Sequence, residues 1–382
     1  MNRIYLDNAA TTPLLPAVLE AMLPLFRETF GNPSSTHATG RAARAAVEQA
    51  RRTVAASIGA EPGEIVFTSG GTEANNMVLK GAVRDFGIRH LITSPAEHSC
   101  VRNATLAIER DVPGVEVHWL DTDEHGRVTP DILDQALAPL NGEPALVSLM
   151  HANNEIGTLH DIESLGSVCR THGARFHSDT VQTIGHMPLD VSELPIDYVS
   201  ASAHKLHGPK GSGFVYMRGD QRTSPLIHGG GQERGARSGT ENPAGIVGLA
   251  TALDLALTRL AHEPTHVRAL RERLRDGILR VAPNARILGH PTEVVDHVLS
   301  VGFCTASAGP MVGFQLDMQG VDVSGGSACS SGAQTRSHVL QAIGLDDDYT
   351  AVRFSFSHLN TTDEVDRVIQ AVRAITAQPA KA

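Results

Sequence analysis

The sequence predicts an α/β protein: a large, mainly parallel sheet of about seven strands covered by helices on both faces, joined to a smaller α+β unit. Three observations predict it. From about residue 40 to 220, helical patterns alternate with short apolar runs, the rhythm of strands linked by crossover helices. A glycine-rich stretch, "IHGGGQERGARSGTENPAG" (227–245), then interrupts that rhythm. Beyond it lie long helical segments and two alternating strands.

"RAARAAVEQARRTVAASIG" (41–59) is an Ala-rich amphipathic helix ended by Gly59. "EIVFTS" (64–69) is the first strand of the sheet, and "TEANNMVLKGAVRDF" (72–86) is the helix that follows it. The remaining strands are "HLITS" (90–94), "VEVHWL" (115–120), "ALVSLM" (145–150), "ARFHS" (174–178), "YVSAS" (198–202) and "GFVYM" (213–217). So many strands in one run read as a single sheet. Two helical segments from roughly 246 to 280 cross into the second unit, where "HVLSVGF" and "AVRFSFS" are strands and "DEVDRVIQAVRAITA" is a closing amphipathic helix. The expected division is a large unit over 14–260 and a small unit built from 1–13 and 261–382.

A chain of 382 residues can bury a sizeable core, and 41% hydrophobic against 19% charged residues excludes a disordered one. The net charge of −10 argues against non-specific binding to nucleic acid or acidic membranes, both of which need a basic surface. No apolar run is expected to reach the ~20 residues of a membrane span. "MNRIYLDNAATTP" has neither a signal-peptide core nor an Arg-rich presequence, so the expected location is the cytoplasm. Cys100, Cys169, Cys304 and Cys329 form no C-x-x-C pair, which removes a disulfide framework and a cysteine-rich zinc site. The 19 histidines show no H-E-x-x-H spacing, and a metal site is the lesser reading.

Ligands of open α/β sheets gather at the carboxyl ends of the strands. "EIVFTS" runs into "GGTEANN", where Gly70 and Gly71 allow a tight turn and Thr72 stands as the expected N-cap. Such a helix start is either an ordinary capped turn or a seat for phosphate. Asp179 ends another strand, where it either caps a turn or holds a proton on a ring nitrogen. Asn153, Asn154 and Glu155 follow "ALVSLM", His98 follows "HLITS", and "SASAHKLHGPKG" (200–211) brings Ser202, His204 and Lys205. Lys205 sits between two apolar strands, where a free ammonium is costly and a Schiff base costs less. A lysine for a Schiff base, a carboxylate, an imidazole and a phosphate seat are together the parts of a pyridoxal phosphate site.

With these residues in view, the sequence resembles the cysteine desulfurases, group I members of the class V aminotransferase family with the fold-type I architecture of pyridoxal phosphate enzymes. The resemblance rests on "YLDNAATTP", "FGNPSSTH", "EIVFTSGGTEANN", "EHSCV", "MHANNEIGT", "HSDTVQTIG", "SASAHKLHGPKG", "HGGGQERGARSGT", "SGGSACSSG" and "VRFSFS", which run nearly end to end. It implies that Lys205 carries pyridoxal 5'-phosphate, that Asp179 partners the pyridine nitrogen, that Gln182 donates to the ring hydroxyl, and that His98 stacks on the ring and moves protons. Gly71, Thr72, Ser202 and His204 match the phosphate contacts, and Thr240 matches one supplied by the second subunit of a homodimer. Asn154 and Arg353 match groups near the bound amino acid, Arg353 on its carboxylate. Cys329 matches the nucleophile that takes sulfur from L-cysteine as a persulfide, leaving alanine.

The family often shows Ser-Ser-Gly-Ser-Ala-Cys where this chain has Ser-Gly-Gly-Ser-Ala-Cys; Gly325, Gly326 and Gly332 suit a loop that enters the site and swings out. The chain ends at "ITAQPAKA", short of the tail that some members use to dock a scaffold protein, which leaves that mode of docking open. The sulfur is expected to pass to an acceptor protein for iron–sulfur cluster assembly or tRNA thiolation. No resident metal is expected, with Cys329 the one residue that a cluster in transfer could touch. A selenocysteine lyase, a class V aminotransferase and a non-catalytic subunit of a sulfur-transfer complex are the competing readings. Cys169 and Cys304 read as core residues, while Cys100, two residues after His98, reads equally as a second reactive thiol or a bystander.

Overall fold

The computed structural model describes residues 3–263, 265–325 and 337–377. The apolar runs from residue 64 onward build one seven-stranded sheet, in the spatial order Ile65–Thr68, Gly213–Met217, Tyr198–Ser202, Arg175–Asp179, Ala145–Ser148, His90–Thr93, Glu116–Trp119. All neighbours are parallel except the two pairings made by Gly213–Met217. That strand returns from Tyr198–Ser202 through a short connection, too short for a crossover, so it must run antiparallel.

Both faces of this sheet are covered except at the edge strand Glu116–Trp119, which is partly exposed, and consecutive residues divide between the faces as the period of two requires. Phe67, Ile92 and Val147 enter one core with the helices Ala38–Ser57 and Pro243–His262. Val66, Leu91 and Leu146 enter the other with the helices Gly71–Asp85 and Ser99–Asp111. Strands buried on both sides explain why the sequence shows apolar runs there and not alternation.

The helix Pro243–His262 corrects one expectation, because it is long and apolar enough by composition to cross a membrane. Half of its most apolar window is buried inside the protein; its Leu249, Ala252 and Leu253 pack in the core shared with Val18 and Met22 of the helix Pro16–Arg27.

A second, separate core lies under a four-stranded antiparallel sheet in the order Ser324–Gly325, Tyr349–Ser355, Val298–Cys304, Arg286–Leu288. The helices His266–Val281 and Thr362–Thr376 cover it, the latter started by a capping box between Thr361 and Glu364. Ile4–Tyr5 pairs in parallel with Val321–Asp322, and Ile4 and Leu6 belong to this core. The first strand of the chain therefore folds with its last third.

Candidate active site

Because the parallel strands of the large sheet share one direction, their carboxyl ends open on one edge. A cavity of about 620 Å³ lies there, within the range of small-molecule and cofactor sites. Asp179 and Ser202 are the last residues of their strands, and both line it with His98, Asn154, Gln182, His204, Lys205 and Arg353. Residues from the whole length of the sequence thus meet at one wall-to-wall site.

Gly71 and Thr72 reach the cavity from the start of the helix Gly71–Asp85. The N-cap is Gly70, not Thr72 as expected, and its φ of 147° is a conformation that a side chain would strain. A glycine cap offers the first-turn N–H groups no side-chain acceptor, so they stay available to an anion. A Cβ on Gly71 would stand 2.7 Å from Val181 Cγ2, which explains the second glycine as a close approach of helix to strand end.

Asp179 is buried, and its carboxylate accepts from Asn75 Nδ2 at 2.6 Å and from the Val181 N–H at 3.0 Å. Asn75 also donates to Cys100 Sγ at 3.1 Å, and its Oδ1 is buried with no partner. His98 caps the helix Ser99–Asp111: its Nδ1 accepts from the Cys100 N–H at 3.2 Å and lies 3.0 Å from Cys100 Sγ. Burial, opposed by Asp179 and reinforced by Lys205, holds the imidazole below its ordinary range. A neutral ring that accepts at Nδ1 carries its proton on Nε2. Burial and the nearby Asp179 push the Cys100 thiol up to about 12. At neutral pH it stays a thiol, placed between Asn75 and His98. Cys100→Ser keeps the same donor and acceptor, so steady-state turnover should fall by less than about tenfold, or about 1.4 kcal/mol of barrier.

Lys205 ends a single helical turn, Ala203–Lys205, directly after its strand. Its Nζ donates to the carbonyls of Ala9 and Ala10 at 2.6 and 2.8 Å. Gln182 Nε2 donates to the same Ala9 carbonyl at 3.0 Å, and its Oε1 lies 3.1 Å from His297 Nε2. His204 Nδ1 meets Thr11 Oγ1 at 3.1 Å, and burial with Lys205 and Lys210 nearby brings this ring down to about 4, neutral at physiological pH. The segment 7–12 thus lies over the lysine. Asn75 and the carbonyls of Ala9 and Ala10 are site groups that the sequence reading missed. Asn75 lies within "EIVFTSGGTEANN", one turn into a helix that begins at the site, which is its signal in the sequence; backbone carbonyls carry none.

Arg353 is 4% exposed and donates to the Asn154 carbonyl at 2.7 Å and to Asp7 Oδ1 at 2.8 Å. Its Nε is buried without a hydrogen-bond partner among the described residues, which leaves the guanidinium a donor in reserve beside the cavity. Ser337 Oγ donates to Glu155 Oε2 at 2.6 Å and caps the helix His338–Ala342. Burial raises the Glu155 carboxyl to about 7, against the lowering effects of Ser337 and Arg353. A carboxyl whose folded value exceeds its unfolded one supports the fold fully below the unfolded value and loses that support as pH rises through the folded one. Wild-type stability should therefore decline between about pH 4.5 and 7 by more than that of Glu155→Gln, with an upper bound of about 3 kcal/mol from the size of the shift. Denaturant titrations at pH 5 and 8 check this; equal pH dependence in both proteins would refute it.

Thr240 is exposed and does not line the cavity. Cys329, with Gly326 and Gly332, lies outside the described residues. Cys169 is buried in the helix Ile162–Thr171, and Cys304 closes the strand Val298–Cys304 half-buried.

The residues present fit pyridoxal phosphate. An uncapped helix start beside Ser202 and neutral His204 suits a phosphate, Asp179 is a buried carboxylate fixed by Asn75, and Lys205 is the amine between them. The unpartnered Asn75 Oδ1 and Arg353 Nε are polar atoms left over for a bound molecule.

The model of the family described as "Aminotransferase class-V" matches residues 4–368. The chain is 45% identical over 382 residues to a cysteine desulfurase of Cereibacter sphaeroides, covering 99% of this chain and 97% of that one. Among solved structures, a NifS-like protein superposes with a TM-score of 0.89 at 37% identity, covering 98% of this chain and 99% of the other. A structure described as "SspA in complex with cysteine" does so with a TM-score of 0.80 at 35% identity, covering 92% and 98%.

Proposed function

We infer the activity from one premise: the chain belongs to the class-V aminotransferase family. Within that family it is a cysteine desulfurase, which converts L-cysteine to L-alanine and carries the sulfur on Cys329. The observation that supports this most is the convergence of Lys205, Asp179 and His98 on one cavity whose wall also holds Arg353. When bound, pyridoxal 5'-phosphate supplies an imine-forming carbonyl and a sink for the electron pair at the substrate α-carbon.

The chain's own residues supply the rest. Arg353 binds the substrate carboxylate, with Asn154 beside it. Asp179 would keep a proton on the cofactor's ring nitrogen, Gln182 would orient the ring, and the helix start with Ser202 and His204 would hold the phosphate. Lys205 would hold the cofactor, and its amine is the group placed to take the substrate α-proton. His98 presents Nε2–H to the cavity for proton transfer. The Cys329 thiolate attacks the substrate sulfur: the S–S bond forms, the Cβ–S bond breaks, and its electron pair stays on the carbon skeleton. Protonation of that skeleton yields alanine, and no external oxidant enters the balance.

The test is incubation with L-cysteine and no keto acid. Alanine and sulfide should appear together after reductant releases the persulfide. A requirement for a keto-acid acceptor would instead make the protein an aminotransferase, and a strong preference for selenocysteine would make it a lyase for that substrate. Arg353→Ala should raise KM for L-cysteine about 10- to 100-fold, the worth of a hydrogen bond to a charged group, while retaining the cofactor. An unchanged KM would remove Arg353 from the substrate site.

The exposed Thr240 supports a homodimer in which each copy completes the phosphate seat of the other, and a dilution-stable monomer with full cofactor occupancy would rule this out. A cytoplasmic location and a sulfur-acceptor protein, an iron–sulfur scaffold or a tRNA-thiolation partner, complete the proposal. Mapping which protein takes the persulfide decides between those acceptors.

A further inference from the structure

A group of chemistry-bearing residues lies at the other end of the sheet. In the pair of strands at its edge, His90 stands opposite Glu116, and Ile92 opposite His118. Side chains alternate between faces along a strand, so His90, Glu116 and His118 emerge on one face. His90 Nδ1 is 3.0 Å from His118 Nε2 and 3.8 Å from Glu116 Oε2, and the three donor atoms lie within 4.8 Å of one another. The two rings are tilted by 49° with centroids 5.2 Å apart, so they meet through their nitrogens and not as a stack. Tetrahedral zinc with bonds of ~2.0–2.2 Å sets its donor atoms about 3.3–3.5 Å apart, which the two measured separations bracket.

The surroundings of His90 strengthen the case. Its other nitrogen, Nε2, lies 3.3 Å from Glu143 Oε2, and a carboxylate taking that proton leaves the Nδ1 lone pair aimed at the shared point. This is the carboxylate–histidine arrangement that orients metal-bound imidazoles. His90 is 8% exposed and held in place, whereas the Glu116 side chain is 73% exposed and free to close on an ion. Without an ion, His118 donates its Nε2 proton to His90. Entry of an ion needs only a shift of that proton to His118 Nδ1, with no net change in charge on the ring.

We propose that His90, Glu116 and His118 form a binding site for a zinc-like divalent ion, with Glu143 orienting His90 from behind. Two imidazoles and one carboxylate are a ligand set for a borderline first-row ion, and the fourth position is left to water. His90 begins its strand, whereas the cavity with Lys205 lies past the strands' carboxyl ends, so the ion does not touch the reacting atoms. Its effect is structural: it staples the outermost strand, Glu116–Trp119, to its neighbour. The ligands come 26 and 28 residues apart from two strands, which is why no short motif in the sequence announces them.

The experiment uses the full-length, cofactor-loaded protein, stripped with a chelator and titrated with Zn²⁺, and separately with Co²⁺. One ion per chain should bind and raise Tm by about 2–4 °C. His118→Gln and the surface change Glu116→Gln should each abolish the rise, and Glu143→Gln, which removes no ligand, should weaken binding about 10- to 100-fold. Bound Co²⁺ should show ligand-field bands without thiolate charge transfer. No rise at saturating Zn²⁺, a rise undiminished in Glu116→Gln or His118→Gln, or a thiolate band placing the ion on a cysteine would each overturn the proposal.

Discussion

Lys205→Ala should yield a protein that no longer holds pyridoxal phosphate covalently, loses the yellow colour on dialysis and turns over L-cysteine at least about 10³-fold more slowly. Two functions are lost together, the attachment point and the amine placed to move the α-proton. In the cofactor-free protein the Ala10 carbonyl would lose its charged donor, at about 1–3 kcal/mol for the group left unsatisfied, whereas the Ala9 carbonyl keeps Gln182 Nε2. The decisive measurement is borohydride reduction of the wild type followed by peptide mass mapping. The label belongs on Lys205; a label on Lys80 or Lys210 would refute the assignment.

Cys329→Ser should separate binding from sulfur transfer. The residues that hold the cofactor and the carboxylate, Asp179, Lys205 and Arg353, are untouched, so the variant should stay yellow and still bind L-cysteine with a spectral change. Release of alanine and sulfide should nevertheless fall to background, at least about 10³-fold, because a serine hydroxyl cannot accept sulfur as a persulfide. Mass mapping after one turnover of the wild type should find the extra sulfur on Cys329. Sulfur on Cys100 together with an active Cys329→Ser would overturn the mechanism, and it would do so against a thiol that burial keeps protonated.

The large sheet was legible because strands buried on both faces leave unbroken apolar runs, and because the polar residue ending each run marks the side where ligands collect. His98, Asp179, Ser202 and Lys205 were found in this way, and they line one cavity. The short pieces of the small sheet, Arg286–Leu288 and Ser324–Gly325, were not read, since two or three residues carry no period. Gly70 took the cap position expected of Thr72, two residues earlier, with Gly71 packed close on Val181. The near-neutral Glu155 was also invisible: its shift comes from burial, a property of neighbours distant in the chain. The apolarity of Pro243–His262 was underread because its alanines and glycines spread the hydrophobic surface around the helix.

The segment 7–12 spans both units, with Asp7 on Arg353 and the carbonyls of Ala9 and Ala10 on Lys205. On the ribosome this geometry imposes a waiting time. Arg3 and Asp322 are 319 residues apart, which at ~5–20 residues per second is roughly 15–65 s of synthesis. The strands of the large sheet end at Met217, so they can pair before that interval is over, while the strand Ile4–Tyr5 still has no partner. Arg353 on the cavity wall and the strand partner of Ile4–Tyr5 both come late in synthesis, so the site is complete only when the two ends of the polypeptide meet.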